Sequence, residues 1–170
     1  MNQLEQLRRR MEMMNFHQRS IEACGISIMN VGESGFSYSI GASRSGLPDM
    51  ILTNVGAAAS QHILNTVFRY WKQHGFKDGR ITGLFEASDS SGRDMAIYVK
   101  LIDYNEHLID NYVTQAWNFY QLNPEYVHPK HGIRYAQIFC PDENGRTQFE
   151  PGFNMKYHQM LVEEPINSKH

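Results

Sequence analysis

Two segments of the chain gather the side chains best suited to chemistry. The first, Phe36-Ser37-Tyr38-Ser39-Ile40-Gly41 and on through Ala42-Ser43-Arg44-Ser45-Gly46-Leu47-Pro48-Asp49, offers Tyr38, Ser43, Arg44 and Asp49. The second, Cys140 to Phe153, offers Asp142, Arg146 and Glu150. Arginine presents a planar fork of donors that matches carboxylate and phosphate oxygens. A few placed polar groups in a recess are what a ligand site needs. If the two loops converge, these residues form a pocket for a small anionic ligand, with a nucleotide as the first expectation. Read structurally, Asp142-Glu143-Asn144-Gly145 is a tight turn and Pro151-Gly152 a second one. Arg146 stands four residues before Glu150, within reach of a paired contact. Asp142, Arg146 and Glu150 then form a network that fixes the loop. Both readings stay open at the level of sequence.

Other chemistries find less. The chain has no P-loop, no G-x-G-x-x-G, no H-E-x-x-H and no G-x-S-x-G. Without a readable nucleophile–base pair the leading expectation is a non-enzymatic binding protein. The alternative is a phosphoester hydrolase, with Asp49 or Glu150 as general base and an arginine stabilising developing charge. His128 and His131 flank Pro129-Lys130 but lack a cysteine or carboxylate anchor, so they read as loop histidines. Asp103, Glu106, His107 and Asp110 lack a calcium-loop pattern and read as a solvated face. His62 and His74 fall on the surface of a helix. Gly56, before that helix, could bring backbone N–H groups near an anion but reads first as turn geometry. No metal and no cofactor is expected.

The elements that must position these residues follow from pattern. Residues 3–22 read as a helix with Leu4, Leu7, Met11, Met14 and Ile21 on a narrow seam. The seam either packs on its own domain or makes a homodimer. Residues 26–40 alternate as a β-hairpin around Gly32-Glu33-Ser34-Gly35, and residues 50–55 form a third strand. Residues 57–74 make the clearest helix, with Ser60, Ile63, Leu64, Val67, Phe68 and Trp71 on one face and Gly75 as its stop. Strands are expected at 81–87, 95–101 and 133–140, and a turn followed by a helix over 106–122. The last fifteen or so residues read as weakly ordered. A hairpin and strand, then a helix, then more strands argue for an α+β fold. The expected architecture is a largely antiparallel sheet packed with one long helix and a shorter one, plus an N-terminal helical extension. The boundaries are 1–23 for that helix, 24–153 for a single domain and 154–170 for a tail.

Composition bounds the rest. The chain has 170 residues, 41% of them hydrophobic and 20% charged, enough for one self-supporting core. A net charge of −2 argues against strong nucleic-acid binding. The basic run Arg8-Arg9-Arg10 lies between Glu5 and Glu12 and reads as a solvated helix face. Cys24 and Cys140 match no zinc or redox spacing and read as reduced, buried residues of strand-like runs. The N-terminus has no signal-peptide core and no stretch is long enough to span a bilayer, so the expected compartment is the cytoplasm, away from membranes.

The chain also resembles a bacterial and phage family known as domain of unknown function 4262. The resemblance rests on Tyr38-Ser39-Ile40-Gly41, on Pro48-Asp49, on the helix ending near Gly75 and on Pro141-Asp142-Glu143-Asn144-Gly145-Arg146 running to Phe149-Glu150-Pro151-Gly152-Phe153. It covers about residues 24–153. Leu47 stands where the family often has histidine and Asp49 where it has glutamate. The resemblance implies a fold and brings no activity with it. A third reading is therefore a protein-interaction module, such as a phage-type inhibitor of a host protein, working through the N-terminal helix.

Overall fold

The computed structural model describes residues 2–32 and 35–163. Its first helix, α1 (Gln3–Cys24), is set by both ends. The Asn2 side chain accepts the Glu5 amide at 2.8 Å, satisfying one of the free N–H groups of the first turn. Gly25 ends the helix at φ 89° and returns its amide to the Ile21 carbonyl. A Cβ on Gly25 would stand 2.5 Å from the Phe68 ring, so both backbone and packing require glycine there.

Six strands follow: β1 (Ser27–Val31), β2 (Phe36–Ile40), β3 (Asp49–Thr53), β4 (Gly79–Ile81), β5 (Ile97–Ile102) and β6 (Tyr135–Phe139). They lie in the order β1-β2-β3-β6-β5-β4. Every neighbouring pair is antiparallel except β3 and β6, which run parallel with Asp49 opposite Tyr135. The fold is α+β with a mixed, mostly antiparallel sheet, as the order of elements predicts.

Alternation along the strands divides the core into two layers. Met50, Leu52, Ile97, Val99, Ala136 and Ile138 meet Leu64, Val67, Phe68 and Trp71 of α2 (Ala57–His74). Phe36, Tyr38, Ile40, Ile51 and Tyr135 meet Val113, Ala116, Phe119 and Tyr120, from the loop after α3 (Glu106–Asn111) and from α4 (Thr114–Leu122). With helices on both faces, β2, β3 and β6 are buried at every residue.

Several expectations need correction. The strand expected at 81–87 shortens to β4, because Gly83 turns at φ 80° and only an isolated bridge, Glu86 to Asp94, continues the pairing. Cys24 is no strand residue; it is the exposed last residue of α1. Cys140 is half-buried, with its thiol pushed up to about 12 by burial. The seam of α1 divides. Met14 and Ile21 pack on the domain and Gln18 donates to Asn123 at 2.7 Å, while Leu4, Leu7 and Met11 stay exposed, Leu4 by 76%.

The segment after residue 154 is no loose tail as far as Glu163. Val162 and Gln159 are buried. The Gln137 side chain donates to the Met160 carbonyl at 2.7 Å and accepts from the Val162 amide at 3.1 Å. Gln159 likewise accepts the Cys140 amide at 2.6 Å and donates to the Ile138 carbonyl at 3.1 Å. These side chains take the place of strand pairing, so the segment straps the sheet. Glu33 and Ser34, the centre of the expected hairpin turn, and residues 164–170 lie outside the described residues. No helix among the described residues is long and apolar enough to cross a membrane.

Candidate functional site

Asp49 sits at the start of β3 with no exposed surface. Its carboxylate accepts from Ser39 Oγ at 2.7 Å, the Ala42 amide at 3.0 Å and the Tyr120 hydroxyl at 2.5 Å. Ser39 Oγ in turn accepts the Met50 amide at 2.9 Å, and the Tyr120 oxygen accepts the Gly41 amide at 2.7 Å. Each hydroxyl therefore has its direction fixed: it receives from backbone and donates to Asp49. Burial pushes the Asp49 carboxyl up to about 7, against the pull of the Tyr120, Ser39 and backbone donors, which favour the ionised form. Gly41 adopts φ 104° to lead the chain into this knot, and a Cβ there would stand 2.5 Å from Ile21. The Tyr-Ser-Ile-Gly and Pro-Asp segments are thus a clasp joining β2, β3 and α4.

The neighbouring candidates are committed as well. Ser43 is buried, donates to the Gly132 carbonyl at 2.7 Å and accepts the His128 amide at 3.0 Å. Tyr38 is buried in β2, and burial raises its hydroxyl to about 12. Arg44 is exposed but ion-paired with Glu22, and its guanidinium lies 5.2 Å from the centre of the Tyr126 ring. Arg44 holds α1 onto the domain.

The second loop is internally satisfied. Asp142 accepts the amides of Asn144, Arg146 and Asn154, each at 2.9 Å. Burial would raise its carboxyl, but these N–H groups outweigh it and hold it below the ordinary value. Arg146 and Glu150 do not pair. Arg146 donates to the Gly152 carbonyl at 3.2 Å, while Glu150 accepts the Thr147 amide at 2.7 Å and pairs with Arg80 at 3.0 Å.

The two loops do not converge. Asp49 opens β3 level with Tyr135, the first residue of the parallel β6. Asp142 comes seven residues further along the same direction, roughly 20 Å away at about 3.3 Å per residue. Ser43, Arg44 and Asp49 gather toward one end of the sheet, Tyr38 stands midway along β2 opposite Ile51, and Asp142, Arg146 and Glu150 lie past the other end. The pocket expected between them has no place in the fold.

A recess does exist where the sequence does not advertise one. A cleft of about 560 Å³ runs between α1 and α4. Met13, Met14, Met29 and Leu122 give it apolar walls, Trp117 an aromatic one, and Gln115, Asn118 and Gln121 supply side-chain amides. Arg9 and Arg10 line it from the basic run of α1, together with His17. Arg9 pairs with Glu5 at 3.7 Å, and Arg10 takes part in no ion pair among the described residues. His17 is 2% exposed, its Nδ1 lies 2.7 Å from Ser27 Oγ, and burial lowers it to about 4, leaving the ring neutral. Among the described residues no group of histidines, cysteines and carboxylates is arranged to hold a metal ion.

No curated protein and no solved structure matches the chain. A family model does, over residues 20–154, which spans the sheet, both motif segments and the α4 wall of the cleft but leaves out most of α1. With that match over most of its length, the chain belongs to the family described as Domain of unknown function (DUF4262).

Proposed function

We propose that this is a non-catalytic binding protein for a small anionic ligand, a nucleotide first, seated between α1 and α4. One juxtaposition carries the reading: Trp117, three side-chain amides and two arginines line a single recess of about 560 Å³. That volume lies in the range of small-molecule sites. An aromatic face can stack a base for about 1–3 kcal/mol. Amide side chains both donate to and accept from base edges, and arginine forks suit phosphate.

The two tryptophans make the test direct. Trp71 is 1% exposed and Trp117 40% exposed, so quenching of the exposed emission reports the cleft. Ribonucleoside 5′-monophosphates should quench it saturably. Arg10→Ala should weaken binding about tenfold, the scale of one charge-assisted hydrogen bond. Arg146→Ala, at the far end of the sheet, should leave binding unchanged. Absence of saturable quenching, or equal losses in the two variants, defeats the reading. The hydrolase alternative has less support, since Asp49 is enclosed and Glu150 is held by Arg80.

A second reading has its own observation. Leu4, Leu7 and Met11 continue the docked face of α1 past the domain and stand exposed. Such a row suits a homodimer seam or a protein partner. Light scattering across a concentration series should show a dimer that Leu7→Glu dissociates; a wild-type chain monomeric throughout removes the dimer.

A further inference from the structure

His17 has a bonding requirement that the fold leaves unmet. Its Nδ1 meets Ser27 Oγ, while Nε2 is buried without a hydrogen-bond partner among the described residues. An orphaned buried polar atom has lost its hydration with nothing in return, so such atoms mark either strain or a missing ligand group. Trp71 Nε1 is another such atom, but it lies in the packed core beneath α2, whereas His17 lines the cleft.

The tautomer follows from Ser27. Among the described residues its hydroxyl has no acceptor other than His17 Nδ1. The hydroxyl proton therefore points to Nδ1, and the ring proton resides on Nε2. Nε2–H is a donor awaiting an acceptor. The cleft that His17 lines has yielding walls, because Met13, Met14 and Met29 line it too and methionine side chains rearrange readily.

We infer that His17 is the specificity-determining residue of the cleft, donating Nε2–H to a carbonyl oxygen on the ring of a ligand whose anionic end rests on Arg9 and Arg10. This rests on the binding function proposed above and narrows its ligand to keto-bearing rings. A neutral donor suits an uncharged carbonyl, while the two arginines on the same helix supply charge for the anionic group. Discrimination arises because a ring lacking that oxygen leaves Nε2–H unpaired in a dry site.

The test compares UMP and GMP with analogues in which a ring keto oxygen, each of the two of uracil in turn and the one of guanine, is replaced by hydrogen, by calorimetry and by nitrogen NMR of the histidine ring. The free protein should show His17 as the Nε2–H tautomer. At least one keto nucleotide should bind tenfold or more tightly than its analogue and shift the Nε2 resonance. His17→Phe should erase that preference. If the variant misfolds, the tautomer and the Nε2 shift in wild type still decide. A Nδ1–H tautomer, or tight binding with no preference and no shift at Nε2, overturns the role of His17 and leaves the binding function standing. Failure of every nucleotide to bind at millimolar concentration overturns both.

Discussion

Two buried ionisable groups should tilt the stability of this protein in opposite directions with pH. Asp49 is raised from 3.8 to about 7 by its burial. Between those values the native state holds a proton that the unfolded chain has released, so stability falls as pH rises. His17 is lowered from 6.5 to about 4. Between those values the unfolded chain holds the extra proton, so stability rises with pH. Over roughly pH 4.5 to 7.5, at about 1.4 kcal/mol per pKa unit, Asp49 contributes a fall of about 3 kcal/mol. His17 contributes a rise of about 2 kcal/mol once solvent screening beside the cleft is allowed for. The carboxylates held low, Glu22 and Asp142 among them, lose their contributions at more acid pH. Wild type should therefore look almost flat, varying by about 1 kcal/mol. Asp49→Asn should unmask a rising profile and His17→Asn, which can keep the Ser27 contact, a falling one. Urea unfolding at a series of pH values reads these slopes independently of any constant loss from the substitutions. Slopes of the same sign in the two variants, or an Asp49→Asn profile parallel to wild type, would refute the reasoning.

Two further outcomes test the clasp and the strap. Gly41→Ala should destabilise by about 2 kcal/mol or more, because it combines a φ of 104° with a Cβ 2.5 Å from Ile21, and thermal unfolding would detect it. Val162→Ala should cost about 2 kcal/mol, and a chain ended at residue 154 should show faster amide exchange in β6; unchanged protection there would mean the strap adds nothing to the core.

Legibility in the sequence followed the range of the interactions. Residues 57–74 fold as the helix read from pattern because the signal and its stop, Gly75, are local. The separation of the motif loops was invisible because it depends on the direction in which β6 runs beside β3, and no short pattern encodes parallel pairing. Shared residue chemistry makes a common pocket conceivable only on the condition that the loops meet, and instead Arg44 turns to Glu22 and Glu150 to Arg80. The cleft was hidden for a related reason. Its walls come from helices far apart in the chain, as the bond from Gln18 to Asn123 across 105 positions illustrates. The basic run of α1 read as a solvated face because α4, which stands across the cleft from it, could not be placed. The strap escaped because its order comes from side chains of Gln137 and Gln159, a device with no periodicity.

The single parallel pairing also bears on how the chain assembles. In the strand order, β1, β2 and β3 form one antiparallel unit of near neighbours, and β4, β5 and β6 another. They join only where β3 meets β6, across the intervening α2, α3 and α4. Contacts within the first unit close short turns and those within the second close loops of about 15 and 30 residues, whereas the seam closes a loop of about 80 residues and carries the larger entropic barrier. During synthesis the first unit would leave the ribosome with the β3 edge unpaired, open to wrong partners until β6 arrives. The central seam of the finished sheet is in this sense the last step in its making.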